Sequence, residues 1–139
     1  MQIRLLAILL LVGATSALAE ESRPILRGTD GLVALPFRAR NGGHAPMSCQ
    51  AALAHWYSLD FGTAAPGESV QATLWRDPAS GETYALNAKQ DRMPIQALWC
   101  GVAGRSWATR ASIALPSGAD QRTTIQLDCA QDDASLACH

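Results

Sequence analysis

The stretch from His44 to Asp60, HAPMSCQAALAHWYSLD, gathers two imidazoles, a thioether and a thiol within a dozen positions. Imidazole and thioether together suit copper, so the residue types raise a periplasmic copper-binding protein as one reading. Spacing restricts it. On an extended backbone rising about 3.3 Å per residue, Met47 and His55 stand about 26 Å apart. On a helix rising about 1.5 Å per residue they are still about 12 Å apart. Either span exceeds one coordination sphere, which leaves His44 with Met47, across Ala45-Pro46, as the local metal pair.

The thiols point elsewhere. Cys49, Cys100, Cys129 and Cys138 are even in number, and the chain begins with what reads as an export signal. Met1 to Arg4 form a basic start, Leu5 to Ala14 an apolar run, and Ala17-Leu18-Ala19 supplies small residues for cleavage. The expectation is a signal peptide over 1–19, a flexible segment over 20–30 and one domain over 31–139, periplasmic or secreted. The apolar run is about half the length that spans a bilayer, so no membrane span is expected after cleavage. In an oxidising compartment four cysteines predict two disulfides. Three pairings are possible; sequence distance favours Cys49–Cys100 with Cys129–Cys138. Loop closure makes the long link worth about 4 kcal/mol and the short one about 3 kcal/mol. A Cys-x-x-Cys redox motif is absent.

These residues need elements to hold them. Val33, Leu35 and Phe37 alternate with less apolar neighbours, as do Val70, Ala72 and Leu74. Tyr84, Leu86 and Ala88 follow the turn Asp77-Pro78-Ala79-Ser80-Gly81, which predicts a hairpin over 69–88. Ile95 to Cys100 forms a further strand, Trp107 to Leu115 a longer one, and Thr123 to Cys129 the cleanest alternation. Residues 47–59 read as one extended strand, which turns His55 inward beside Leu53 and Leu59 as a hydrogen-bonded interior imidazole. A helix capped by Ser48 is the alternative there. Six or seven strands and two disulfides predict an all-β fold, a small antiparallel β-sandwich. The strand, Asn-Gly break, strand and Pro-Gly-Glu-Ser turn resemble bacterial immunoglobulin-like modules in architecture, and that resemblance implies no activity.

The net charge of −1, with acids and bases interspersed, offers no footprint for nucleic acid or anionic lipid. GxSxG, HExxH and phosphate-loop patterns are absent, so no catalysis and no cofactor are expected. The tryptophans carry the binding expectation. Trp107 is assigned to the core; Trp75 lies opposite Val70 and Leu74 on an outer face; the side of Trp99 is open. Trp75 with Arg76 and Trp99 with Arg105 are the candidate anchors for a protein partner in the periplasm or outside the cell. Ser80-Gly81-x-x-Tyr84 resembles a string of exported C-type lysozyme inhibitors, but the Phe-Trp-x-Lys-Gly continuation of that family is missing and no residue is carried over. The expected function is an exported, non-catalytic accessory protein that binds another macromolecule. Inhibition of a hydrolase such as a lysozyme or protease, and copper binding, are the alternatives.

Overall fold

Most of the period-two alternation becomes strand in the computed structural model, which describes residues 24–132 and 134–139. The signal peptide expected over 1–19 lies outside the described residues. Nine strands are formed among the described residues: β1 (Val33–Asn41), β2 (Met47–Leu53), β3 (Ser58–Ala64), β4 (Ser69–Arg76), β5 (Thr83–Leu86), β6 (Arg92–Val102), β7 (Ala111–Ile113), β8 (Ile125–Gln131) and β9 (Leu136–Cys138). The protein is all-β, and the hairpin expected over 69–88 is present, with Trp75 opposite Tyr84 and Arg76 opposite Thr83.

Two expectations about the sheet are corrected. The strands number nine because residues 47–59 divide into β2 and β3 and the C-terminal residues add β9. The sheet is mixed rather than purely antiparallel, since β8 runs parallel to β1 in the register Phe37↔Ile125 to Asn41↔Cys129. A long connection from β7 carries the chain across to β1, and parallel neighbours always need such a crossover.

The order is β3-β2-β6-β5-β4-β1-β8-β9, with β7 also on β6. Strand β6 is the pivot: its first residues pair with β5, and the rest pairs with β2 on one edge and β7 on the other. The sheet curls about it, so that β3 packs against β4 and the rings of Phe61 and Phe37 come within 6.1 Å. At the other margin, the Leu136 N–H donates to Thr109 O at 2.8 Å, tying β9 to the segment before β7. Leu35, Phe37, Met47, Leu74, Leu98 and Ile125 fill the interior. Each such side chain contributes roughly 1.5–3 kcal/mol by leaving water.

Two irregularities flank β2. Ala52 pairs with Ala97 while Leu53 pairs with Ile95, so Gln96 is an extra residue in β6. One extra residue reverses the alternation, so Ile95, Leu98 and Cys100 face the core and Trp99 turns outward. On the other side Cys49 pairs with Gly62 but Gln50 with Asp60, leaving Phe61 extra. Gly62 takes φ 106° there, and its N–H donates to Asp60 Oδ1 at 2.7 Å.

Cys49–Cys100 joins β2 to β6 and Cys129–Cys138 joins β8 to β9, each between residues directly opposite in the ladder. This is the pairing that sequence distance favours, and two disulfides point to an oxidising, extracytoplasmic compartment. Among the described residues no helix is long and apolar enough to cross a membrane.

Residues ahead of β1 are held against the start of β6. Arg27 Nε donates to Asp91 Oδ1 at 2.6 Å, the Gly28 N–H to Gln90 O at 2.9 Å, and the Arg92 N–H to Leu26 O at 2.8 Å. A hydrogen bond from Asn87, and next one from Arg27, hold the Asp91 carboxyl below the usual carboxylate range. A carboxyl lowered in the folded state stabilises above its unfolded value of about 4 and loses that contribution as pH falls through the lowered value. Protection of the Gly28 and Arg92 amides, measured as exchange relative to the intrinsic rate at each pH, should therefore be high at neutral pH and fall in acid ahead of the core; protection that falls only together with the core would refute the tether.

The disulfides differ in consequence. Cys49→Ser should lower the unfolding free energy by about 4 kcal/mol and Cys138→Ser by about 3 kcal/mol. Urea unfolding monitored by tryptophan fluorescence checks the order, and a milder effect at Cys49 would contradict it.

Candidate functional site

The β2–β3 connection is set by its ladder. Ala52 pairs with Ser58, and the Leu53 N–H donates to Tyr57 O at 2.8 Å, leaving Ala54, His55 and Trp56 to reverse the chain. The continuous strand expected over 47–59, and the helix held as its alternative, give way to this hairpin. So tight a reversal demands positive φ at its centre, which Asn-Gly ordinarily supplies. Here His55 has φ 63° and Trp56 φ 66°. For a residue with a Cβ, that region costs roughly 1–2 kcal/mol through its contact with the following carbonyl. The reversal also corrects the interior assignment of His55, whose imidazole is exposed. Trp56 is fully exposed and Tyr57 largely so.

A groove of about 870 Å³ opens beside this turn. His55 and Tyr57 line one side, Ile25 and Leu26 another, and Tyr84 and Pro94 of β5 and β6 are among its remaining lining. Ile25, Leu26, Trp56 and Tyr57 are four of the six large exposed apolar side chains among the described residues, so exposed apolar surface concentrates here. The walls are braced. Arg92 Nε donates to Gly28 O at 2.8 Å and its Nη2 to Asp30 O at 2.6 Å, fixing the segment that carries Ile25 and Leu26. The Tyr84 hydroxyl donates to Glu82 Oε2. Burial, with Glu82 adding to it, pushes that phenol up to about 12, so it remains a neutral donor at physiological pH.

The residues singled out from sequence do not converge on one surface. Trp75 lies half-buried on the outer face of β4, across from Tyr84 and, beyond it, Pro94. Arg76 is half-buried, with Nη2 donating to Gly118 O at 3.3 Å. Trp99, only 7 % exposed, is not an accessible anchor: the turn after β6 folds back over it. Its ring meets that of Trp107 nearly perpendicular at 5.2 Å between centroids, and its indole N–H has no partner among the described residues. Arg105 is exposed in that same turn. Trp107, assigned to the core from sequence, is instead 59 % exposed, because the strand expected over 107–115 is only β7, Ala111–Ile113. Nor are His44 and Met47 presented together: Met47 is enclosed in the core while His44 stands in an exposed turn.

Trp56 and Tyr57 were passed over in the sequence. Their signal is the run His-Trp-Tyr, which in a period-two strand would place large rings on both faces at once. Comparison of the chain with protein-family models, curated proteins and solved structures gives no match, so geometry alone carries the functional reading.

A turn kept strained for its side chains should gain stability when it loses them. The double variant His55→Asn/Trp56→Gly should unfold at higher urea, with about 1–2 kcal/mol of added stability. A loss of stability would show that the two rings serve the fold.

Proposed function

We propose that this is a periplasmic or secreted, non-catalytic accessory protein that binds another protein through the β2–β3 turn and the groove beside it. The curled sheet is read as a small sandwich of immunoglobulin-like architecture, with its recognition residues at one end. One observation carries this reading: a hairpin turn that Asn-Gly would close without strain instead holds His55 and Trp56 at positive φ, with Trp56 wholly in solvent. Backbone strain persists where the surrounding structure enforces it, and it clusters at functional sites. An exposed tryptophan with apolar neighbours is the residue class that dominates binding energy at protein interfaces.

Rigidity favours the same reading. The turn is closed by the Leu53–Tyr57 hydrogen bond, and β2 behind it is fixed to β6 by a fully buried disulfide. A side chain presented this way loses little freedom on binding, so less of its contact energy is spent on ordering. A rigid, protruding turn also suits occlusion of a hydrolase cleft, which makes inhibition of a lysozyme or protease the second reading.

The immobilised protein should retain a discrete partner from an extracytoplasmic extract of its own cells. Trp56→Ala should weaken that retention about tenfold or more with the melting temperature unchanged or raised. Equal retention by both forms would refute the site. A panel of lysozymes and proteases assayed with the wild type separates simple docking from inhibition.

A further inference from the structure

A second surface on the same hairpin has a different character. On the outer face of the curled sheet, Asp60, Gln50 and Trp99 stand in one row across β3, β2 and β6, and Thr63 and Ser48 form the next. The turn that follows β6 rises over this face. Together they enclose a shallow bowl of about 490 Å³, lined by Ser48, Gln50, Asp60, Thr63, Ser106 and Trp107, with Arg105 also at its margin. That volume lies within the range of small-ligand sites.

The bowl is preformed. A Cβ at Gly101 would lie 2.1 Å from Ser106 O, so the close approach of the covering turn requires glycine there. Thr109 Oγ1 accepts the Val102 N–H at 2.8 Å and donates to Arg105 O at 2.9 Å, and the Ala103 N–H donates to Pro46 O at 2.8 Å. The Arg110 guanidinium sits 3.8 Å from the centroid of the Trp107 ring, and its Nη1 donates to Trp107 O at 2.7 Å. Trp107 is thus braced by Arg110 and Trp99 yet keeps more than half of its surface in solvent.

The polar atoms are sorted as donor and acceptor. Ser106 Oγ donates to Gln50 Oε1 at 2.7 Å, which leaves the two amide hydrogens of Gln50 as donors. Asp60 spends Oδ1 on the Gly62 N–H, which leaves Oδ2 as an acceptor. Residues directly opposite in a ladder place their Cβ atoms about 5 Å apart. A donor and an acceptor carried on such neighbouring residues, flanked by hydroxyls and by an exposed indole, match one ligand chemistry: adjacent hydroxyls on a ring that also offers an apolar C–H face. From this geometry we infer a binding site for a neutral saccharide, with Gln50 and Asp60 engaging neighbouring hydroxyls and Trp107 packing on the ring. The carboxylate at its centre disfavours phosphate and other anions, and the polar floor disfavours a purely apolar guest.

Calorimetric titration of the full protein with maltose, cellobiose, chitobiose, mannobiose and galactobiose tests this, with sialyllactose as the acidic comparison. At least one neutral sugar should bind. Trp107→Ala and Gln50→Ala should each weaken it about tenfold or more. Asp60→Asn keeps an oxygen for the Gly62 N–H and should also weaken binding, while Trp56→Ala should leave the affinity unchanged, separating this site from the protein-docking turn. Circular dichroism checks each fold; should Trp107→Ala fail to fold, Gln50→Ala and Asp60→Asn decide. No heat from any neutral sugar, preference for sialyllactose, or wild-type affinity in the folded bowl variants would overturn the inference.

Discussion

The register of β2 is the constraint on which the rest of the molecule depends. Met47, Cys49, Ala51 and Leu53 are all buried, and Cys49 is bonded to Cys100 of β6. A slip of one residue would turn this row to solvent and separate the two sulfurs. With β2 fixed and β3 paired along it, only three residues remain to reverse the chain. Left-handed backbone at His55 and Trp56 is the consequence. Its cost of roughly 1–2 kcal/mol per residue is comparable with the gain from burying one or two of the β2 side chains, roughly 1.5–3 kcal/mol each. The sheet therefore enforces a turn that the local sequence would not choose.

The same strand organises the opposite surface. Its neighbours each carry one extra residue, Phe61 in β3 and Gln96 in β6, and each irregularity resets which side chains face outward. Were Gln96 paired in regular alternation, Trp99 would share the inner face with Ile95. Phe61 turns toward Phe37, while Asp60 and Gln50 stay opposite one another on the outer face. From Trp56 to Asp60 is four residues, about 13 Å of extended chain. The β2–β3 turn and the polar bowl are thus two stations on one hairpin, apolar at the tip and polar along the side.

Features governed by local pattern were legible in the sequence. The 69–88 hairpin follows from alternation around the turn Asp77-Pro78-Ala79-Ser80-Gly81, β8 from the alternation of Ile125, Leu127 and Cys129, and the short disulfide from cysteines nine residues apart. Features governed by long-range pairing were not. Nothing near Ile125 announces a parallel neighbour, since that depends on where the crossover lands. The extra residue Gln96 leaves no mark in composition, so the side of Trp99 stayed open. His55 and Trp56 were misplaced because turn residues are recognised by glycine and asparagine, and this turn uses neither. Trp107 was misplaced because its apolar neighbours suggested a strand, whereas Thr109 folds that segment into a cap over Gly101.

The central claim is that the β2–β3 turn is strained in order to present Trp56 to a protein partner. A photoreactive phenylalanine analogue placed at position 56, and for comparison at exposed position 121 beside the start of β1, tests it within the native extracytoplasmic extract. Cross-linking from position 56 to one discrete protein, and none from position 121, is the predicted result. Equal cross-linking from both positions, or none from position 56, would contradict it.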